Sequence, residues 1–312
     1  MIRQLIALLG LLVPCVALGW SSTGHHVIAV LAYERMPVDA RKEMMEILRA
    51  HPDFGTTFKP PESVTQPEAM ERWQIGVAGC WPDIVSGTDQ ERPTWHYELG
   101  ASMVVGNITP DERPGPLPES ATMDTQELFV SQAAVLALRT YRDETKPKSE
   151  RAIALCWVLH LFADGHQPCH AGSCYAPVFE GHDRGANSIK LAGGGNLHGA
   201  WDRLLGGDAK ANDVRRRVAE IGLIPSDDPG LPKEFPDNWL APKRWIAESR
   251  ELAQTHVYTD EVLQPIRAAS RDLTEGLPEL KLSEEYFGNA ARIATRRAWQ
   301  AGLRLALVLG EH

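Results

Sequence analysis

Histidine and aspartate recur in this chain at spacings that suit metal binding. His160 and Asp164 stand four residues apart, and on a helix that spacing puts both side chains on one face, a turn apart. His198 and Asp202 repeat it within Asn196-Leu197-His198-Gly199-Ala200-Trp201-Asp202. An i, i+4 pair is how a helix presents two ligands to one ion. After Asp164 come Gly165-His166-Gln167-Pro168-Cys169-His170, where the proline is expected to break the helix and return His170 toward the same centre. His25, Asp83 and His96 lie upstream. Imidazole nitrogen with carboxylate oxygen and no required thiolate is a zinc-type donor set. One such pair is more often a hydrogen-bonded surface pair; two pairs and a third histidine after a helix break argue against that.

The elements that must position these residues are mostly helical. Apolar positions recur at helical spacing over residues 25–35, 38–50, 123–143, 149–165, 240–258 and 284–309, with Thr122 or Asp124 expected to cap the third helix. Alternating stretches are few and short, the best being Trp95–Leu99 and Ile189–Leu191. Pro- and Gly-rich loops fall at 52–68, 106–118, 171–196 and 222–238. No repeat or long linker interrupts them. The expected fold is one all-α domain whose long loops carry the site.

With 312 residues, 43% hydrophobic and 23% charged, the composition is that of an ordinary globular chain. No run after residue 20 approaches the ~18–20 apolar residues of a membrane span. The start differs: Arg3 precedes an apolar stretch from Leu5 to Leu18, and Ala17-Leu18-Gly19 suits cleavage. Residues 1–19 therefore read as a signal peptide and 20–312 as the mature domain, secreted or periplasmic, with Trp20 first and no membrane association. Lipoprotein attachment through Cys15 is the alternative, and Pro14 fits it poorly.

The formal charge of −9 becomes −10 once Arg3 is removed. So acidic a protein does not hold polyanions by a basic face; bound metal ions would have to attract a phosphate locally. Four cysteines remain in the mature chain, an even number that permits disulfides in an exported protein. Cys169 and Cys174 enclose a short loop and are the favoured pair. Cys80–Cys156 follows only by elimination, and two buried free thiols are the open alternative.

These residues carry a resemblance. Gly24-His25, Trp81-Pro82-Asp83, Trp95-His96-Tyr97, the run from His160 to His170, Asp183-Arg184-Gly185-Ala186-Asn187 and the run from Asn196 to Asp202 resemble the single-strand nucleases and 3′-nucleotidases typified by nucleases S-one and P-one. That family is related to the zinc phospholipases C. Weaker matches continue through Trp245, Glu248-Ser249, Val257-Tyr258 and Gly302 to Ala306.

The resemblance implies three Zn²⁺. Asp83, His96, His160 and Asp164 would hold one; the α-amine and carbonyl of Trp20, His25 and a shared Asp164 a second; His170, His198 and Asp202 a third, more open one. An α-amine, with a pKa near ~7.7–8.0, yields its proton to a metal, whereas an uncleaved amide does not. Asp83 and Asp164 are the expected catalytic carboxylates, orienting and sharing a water whose pKa the close metal pair lowers toward ~7. The third metal would stabilise the leaving 3′-oxygen, giving 5′-phosphate products from single-stranded nucleic acid or 3′-nucleotides. The protein would act as a monomer.

Two departures stand out. The family often carries a basic residue just after the Asp83 position, but Ile84-Val85-Ser86-Gly87 has none; Arg203 or Arg184 would have to substitute. Tyr97 matches a base-stacking aromatic position, or else simply packs, while Leu99 stands where a base-reading carboxylate is expected. Asp183 and Asn187 are loop-ordering or substrate-side candidates. His166 is read as lying behind the ligands, and His51, His182 and His256 as solvent-facing. The rival activities are a zinc phospholipase C and a non-catalytic secreted zinc-binding protein.

Overall fold

The computed structural model describes residues 19–224 and 238–310. The expected leader lies outside the described residues apart from Gly19. Eleven α-helices and three short strands make up the described residues. The first three helices are α1 (Ser22–Arg35), α2 (Val38–Leu48) and α3 (Pro67–Ile84). A 3₁₀ turn, Pro93–His96, leads into β1 (Gly100–Val104). Next come α4 (Val130–Arg142), α5 (Lys148–Asp164), α6 (Pro168–Ala171), β2 (Gly172–Ala176) and β3 (Gly181–His182). The chain continues through α7 (Leu197–Asp202), α8 (Ala211–Gly222), α9 (Pro242–Leu252), α10 (Asp260–Arg271) and α11 (Glu284–Gly310).

Helix α5 is the axis of the main core. It is buried all round from Ala154 to Asp164, as expected for a helix with no polar face, and α1, α2, α3, α4 and α11 pack about it. Close approach depends on two glycines. A Cβ on Gly79 of α3 would stand 3.1 Å from both Ala29 Cβ and the His25 carbonyl of α1, and one on Gly302 of α11 would meet Leu31 Cβ at 2.9 Å. A second apolar cluster gathers Cys169, Cys174, Trp201, Tyr258 and Tyr286 beside the small sheet. There β2 pairs parallel with β1 and antiparallel with β3.

Several elements differ from expectation. The helix expected over 123–143 begins only at Val130. Residues 92–95 hold the preceding carbonyls: Arg92 Nε donates to Met123 O, Trp95 Nε1 to Thr125 O, and Thr94 Oγ1 to Gln126 O and Leu128 O. Those acceptors are lost to a helix, and Asp124 meets Arg92 instead of capping one. Helix α3 was not anticipated, because Gly76, Gly79 and Pro82 depress its propensity; burial overrides that. Pro168 opens α6 rather than ending α5, since it is the residue after the Gln167 N-cap. Around Trp95–Leu99 the expected strand starts late, at Gly100, while Ile189–Leu191 contributes only isolated bridges. Neither disulfide forms: Cys80, Cys156, Cys169 and Cys174 are buried free thiols, each pushed up in pKa chiefly by burial, and so inert. His51 is buried between Phe58 and Trp81 rather than solvent-facing. Among the described residues no helix is long and apolar enough to cross a membrane.

Candidate metal centre

Six elements bring the expected ligands together. His25 comes from the first turn of α1, Asp83 from the last turn of α3, His96 from the 3₁₀ turn, and His160 and Asp164 from α5. His170 comes from α6, and His198 and Asp202 from α7. Their donor atoms form three groups, each lying within 4.8 Å: His25, His160 and Asp164; Asp83, His96 and His160; His170, His198 and Asp202.

Asp164 is fully buried and its two oxygens face different histidines. Oδ1 lies 3.3 Å from His25 Nε2, while Oδ2 lies 3.1 Å from His96 Nδ1 and 3.0 Å from His160 Nε2. Asp83 approaches from the exposed side, 3.6–3.8 Å from His160, His96 and His25. Among the described buried polar atoms, His25 Nε2, Asp83 Oδ1 and Asp164 Oδ1 have no hydrogen-bond partner, a costly state for polar groups away from water.

Backbone carbonyls fix the imidazole tautomers. His160 Nδ1 donates to Gly79 O at 2.8 Å, His170 Nδ1 to His96 O, and His198 Nδ1 to Gly185 O at 2.6 Å. That leaves each Nε2 with a lone pair. Yet His160 Nε2 sits 2.9 Å from His96 Nδ1, and His170 Nε2 sits 3.1 Å from His198 Nε2. At His160 a proton competes with a cation: burial depresses its pKa, but Asp164 and Asp83 outweigh that and raise it to about 9. The His170 group has no such relief. Burial, then the neighbouring His170, lowers His198 to about 3, and burial raises Asp202. Inward-facing nitrogen lone pairs with carboxylate oxygens, the rings of His160, His170 and His198 held by outer hydrogen bonds, fit divalent metal ions of the zinc type.

Trp20 packs beside this centre. Its ring is buried and Nε1 donates to Ala163 O at 2.9 Å, while Ser21 N donates to Asp202 O. The backbone at residues 19–21 thus runs between Asp164 and Asp202. A Cβ on Gly19 would stand 1.6 Å from Asp164 Oδ1.

The substrate-side residues divide. Tyr97 is half-buried beside His96, edge-on to Phe129 at 6.5 Å, and Arg203 is exposed at the end of α7. Of the two roles open to Asp183 the contacts favour loop ordering: fully buried, it accepts from Tyr258 OH and Cys174 N, which leaves it no face for substrate. Asn187 likewise donates to Arg184 O and accepts from Asn196 Nδ2. Sequence reasoning missed Gln167, which is fully buried. Its Oε1 caps α6 through Cys169 N and its Nε2 donates to Asp202 Oδ1 at 2.7 Å. The only signal was a polar residue directly before a helix-opening proline. His166 stands outside the groups, its Nδ1 donating to Phe162 O and its Nε2 accepting from Arg304.

Comparison with known proteins agrees with this arrangement. Endonuclease 2 of Arabidopsis thaliana is 26% identical over 302 residues, covering 93% of this chain and 89% of the relative. Endonuclease 1 of the same plant is 30% identical over 163 residues, 50% of this chain and 48% of the relative. The profile described as S1/P1 Nuclease matches residues 20–312, the span that holds every ligand above, and the chain belongs to that nuclease family.

Proposed function

We propose that this protein is a zinc-dependent endonuclease and 3′-nucleotidase that hydrolyses single-stranded RNA and DNA to 5′-phosphate products. Export, with cleavage ahead of Trp20, belongs to the same reading. The observation that carries it is the split of Asp164 between His25 on one side and His96 with His160 on the other. A carboxylate so placed would serve two ions at once. Trp20, His25 and Asp164 would hold one Zn²⁺, Asp83, His96, His160 and Asp164 a second, and His170, His198 and Asp202 a third. When bound, such ions lower the pKa of water toward ~7 and offset the charge of a phosphoryl group.

The chain's own residues do the rest. Asp83, on the exposed side of the centre, has an unpartnered Oδ1 with which to orient an attacking water. Gly79 O, His96 O and Gly185 O keep the histidine nitrogens aimed inward. Gln167 holds one oxygen of Asp202 and leaves the other toward His198, 3.5 Å away. Tyr97, half-buried beside His96, would offer a ring to a base, and such stacking is worth ~1–3 kcal/mol and tolerates any sequence. Arg203 is the exposed cation nearest α7 in sequence, and it would meet a phosphate. A third site with only three protein ligands leaves room for substrate, unlike a closed structural shell.

Incubating the purified protein with single-stranded RNA, single-stranded DNA, a 3′-nucleotide and phosphatidylcholine tests this. Release of 5′-mononucleotides and of phosphate from the 3′-nucleotide, both abolished by a chelator and restored by zinc, is the expected result. Release of phosphocholine alone would overturn it in favour of a phospholipase, and no hydrolysis at all in favour of a zinc-binding protein.

A further inference from the structure

The turn Gly165–Gln167 joins two ligand-bearing helices, with Asp164 at the end of α5 and His170 inside α6. Three groups from distant sequence hold it. Ser249 Oγ donates to Gly165 O at 2.8 Å, Arg297 Nε to His166 O at 3.2 Å, and Arg304 Nη1 contacts His166 Nε2 at 2.7 Å. Arg297 Nη2 also donates to Ser249 Oγ at 2.7 Å. Behind them Glu248 accepts from Arg297 Nη1 and, bidentate, from Arg304 Nη1 and Nη2, all at 2.9 Å. Both guanidiniums are buried, with Arg297 1% and Arg304 0% exposed.

For stability alone this is a poor use of space. Two buried cations against one carboxylate carry a desolvation penalty, and packed apolar side chains often do as well or better. What apolar groups cannot do is satisfy the carbonyls of a buried helix end. Leu161 O, Ala163 O and Asp164 O are taken by amides of the turn, and Phe162 O by His166 Nδ1. The next two, Gly165 O and His166 O, fall to Ser249 and Arg297. The backbone between Asp164 and His170 is thereby fixed from outside.

We propose that Ser249, Arg297 and Arg304, braced by Glu248, are positioning residues that set the angle at which Asp164 and His170 enter the metal centre. This rests on the metal-centre reading above. A misaimed ligand binds metal less tightly, and outer-shell partners typically govern metal affinity by about 10- to 100-fold.

The test is a zinc titration against a competing chelator on the full-length mature protein, with a Co²⁺ absorption spectrum of each form. Ser249→Ala and Arg304→Met are expected to weaken zinc about 10- to 100-fold and to alter the Co²⁺ bands, with Arg304→Lys recovering part of both. Wild-type affinity and an unchanged Co²⁺ spectrum in Ser249→Ala and Arg304→Met, whatever their melting temperatures, would overturn the inference. Should Arg304→Met not fold, Ser249→Ala decides by the same two readouts. Wild type that takes up no metal at all would overturn the metal-centre reading itself, a separate result.

Discussion

His170 Nε2 and His198 Nε2 face each other at 3.1 Å, and neither carries a hydrogen, because each ring spends its one N–H on a backbone carbonyl. Burial lowers the pKa of both rings, so protonation offers no escape. A cation between them turns an opposed pair of lone pairs into two bonds. The fold makes this arrangement from α6 and α7, two short helices, each capped by an amide side chain, Gln167 and Asn196.

Metal removal should therefore cost stability as well as activity. Chelation is expected to lower the melting temperature of the wild type, by the linkage between binding and folding. In His198→Ala the lone-pair opposition is gone and one ligand is missing, so the drop on chelation shrinks and bound metal falls by about one ion per chain. Differential scanning fluorimetry with and without chelator, alongside metal analysis, measures both. An equal drop in the two proteins would count against the third group.

Asp164→Asn keeps the shape of the side chain but not two equivalent anionic oxygens. Since Oδ1 and Oδ2 face different histidines, the variant weakens two sites together. A loss in kcat/KM beyond the ~10- to 100-fold typical of outer-shell changes is expected, with more metal lost than in His25→Ala. Steady-state kinetics and metal analysis of the two variants provide the check; near-normal turnover in Asp164→Asn would contradict the bridging role.

The proposed cleavage ahead of Trp20 makes its own prediction. A side-chain atom on the residue before Trp20 would collide with Asp164 Oδ1, and, in the proposed cleaved form, an amide in place of the α-amine would remove a ligand. A protein beginning at Trp20 should bind about one more ion than one carrying an extra alanine ahead of it, and be the more active by at least roughly 10-fold. Metal analysis and nuclease assays of the two forms decide this, and equal metal content with equal activity would exclude the amine as a ligand.

How much of this was legible in the sequence depended on range. The i, i+4 pairs in α5 and α7 are local, so spacing alone put His160 with Asp164 and His198 with Asp202. The resemblance supplied the long-range grouping, with His25 and His96 meeting Asp164 across separations no periodicity encodes. Helix α3, which carries Asp83, was hidden because its glycines serve the crossing with α1 rather than local propensity. Asp183 looked chemical in a polar, glycine-rich loop, yet Tyr258 and Cys174 claim its carboxylate from another part of the fold. Gln167, Glu248, Arg297 and Arg304 act only through contacts that exist after folding.

The Glu248 cluster should show in the acid limb of stability. Burial pushes the Glu248 carboxyl up, but hydrogen bonds from Arg304 and the charges of Arg297 and Arg304 outweigh it, lowering the pKa to about 2. This folded value lies below the ~4.3 of an unfolded glutamate. The contribution is thus fully present above about pH 4.3 and is lost as pH falls toward about 2. The unfolding free-energy gap between wild type and Glu248→Gln is expected to be constant near pH 6–8 and to narrow by on the order of 2 kcal/mol at about pH 3. Urea titrations across that range measure it; a gap that widens toward acid would contradict the assignment.

Anomalous diffraction at the zinc edge, on crystals of the mature protein grown with zinc, tests the central claim most directly. The account predicts three peaks, one between Asp164 Oδ1 and His25, one among Asp83, His96, His160 and Asp164 Oδ2, and one among His170, His198 and Asp202. A single peak away from Asp164, or none, would contradict it.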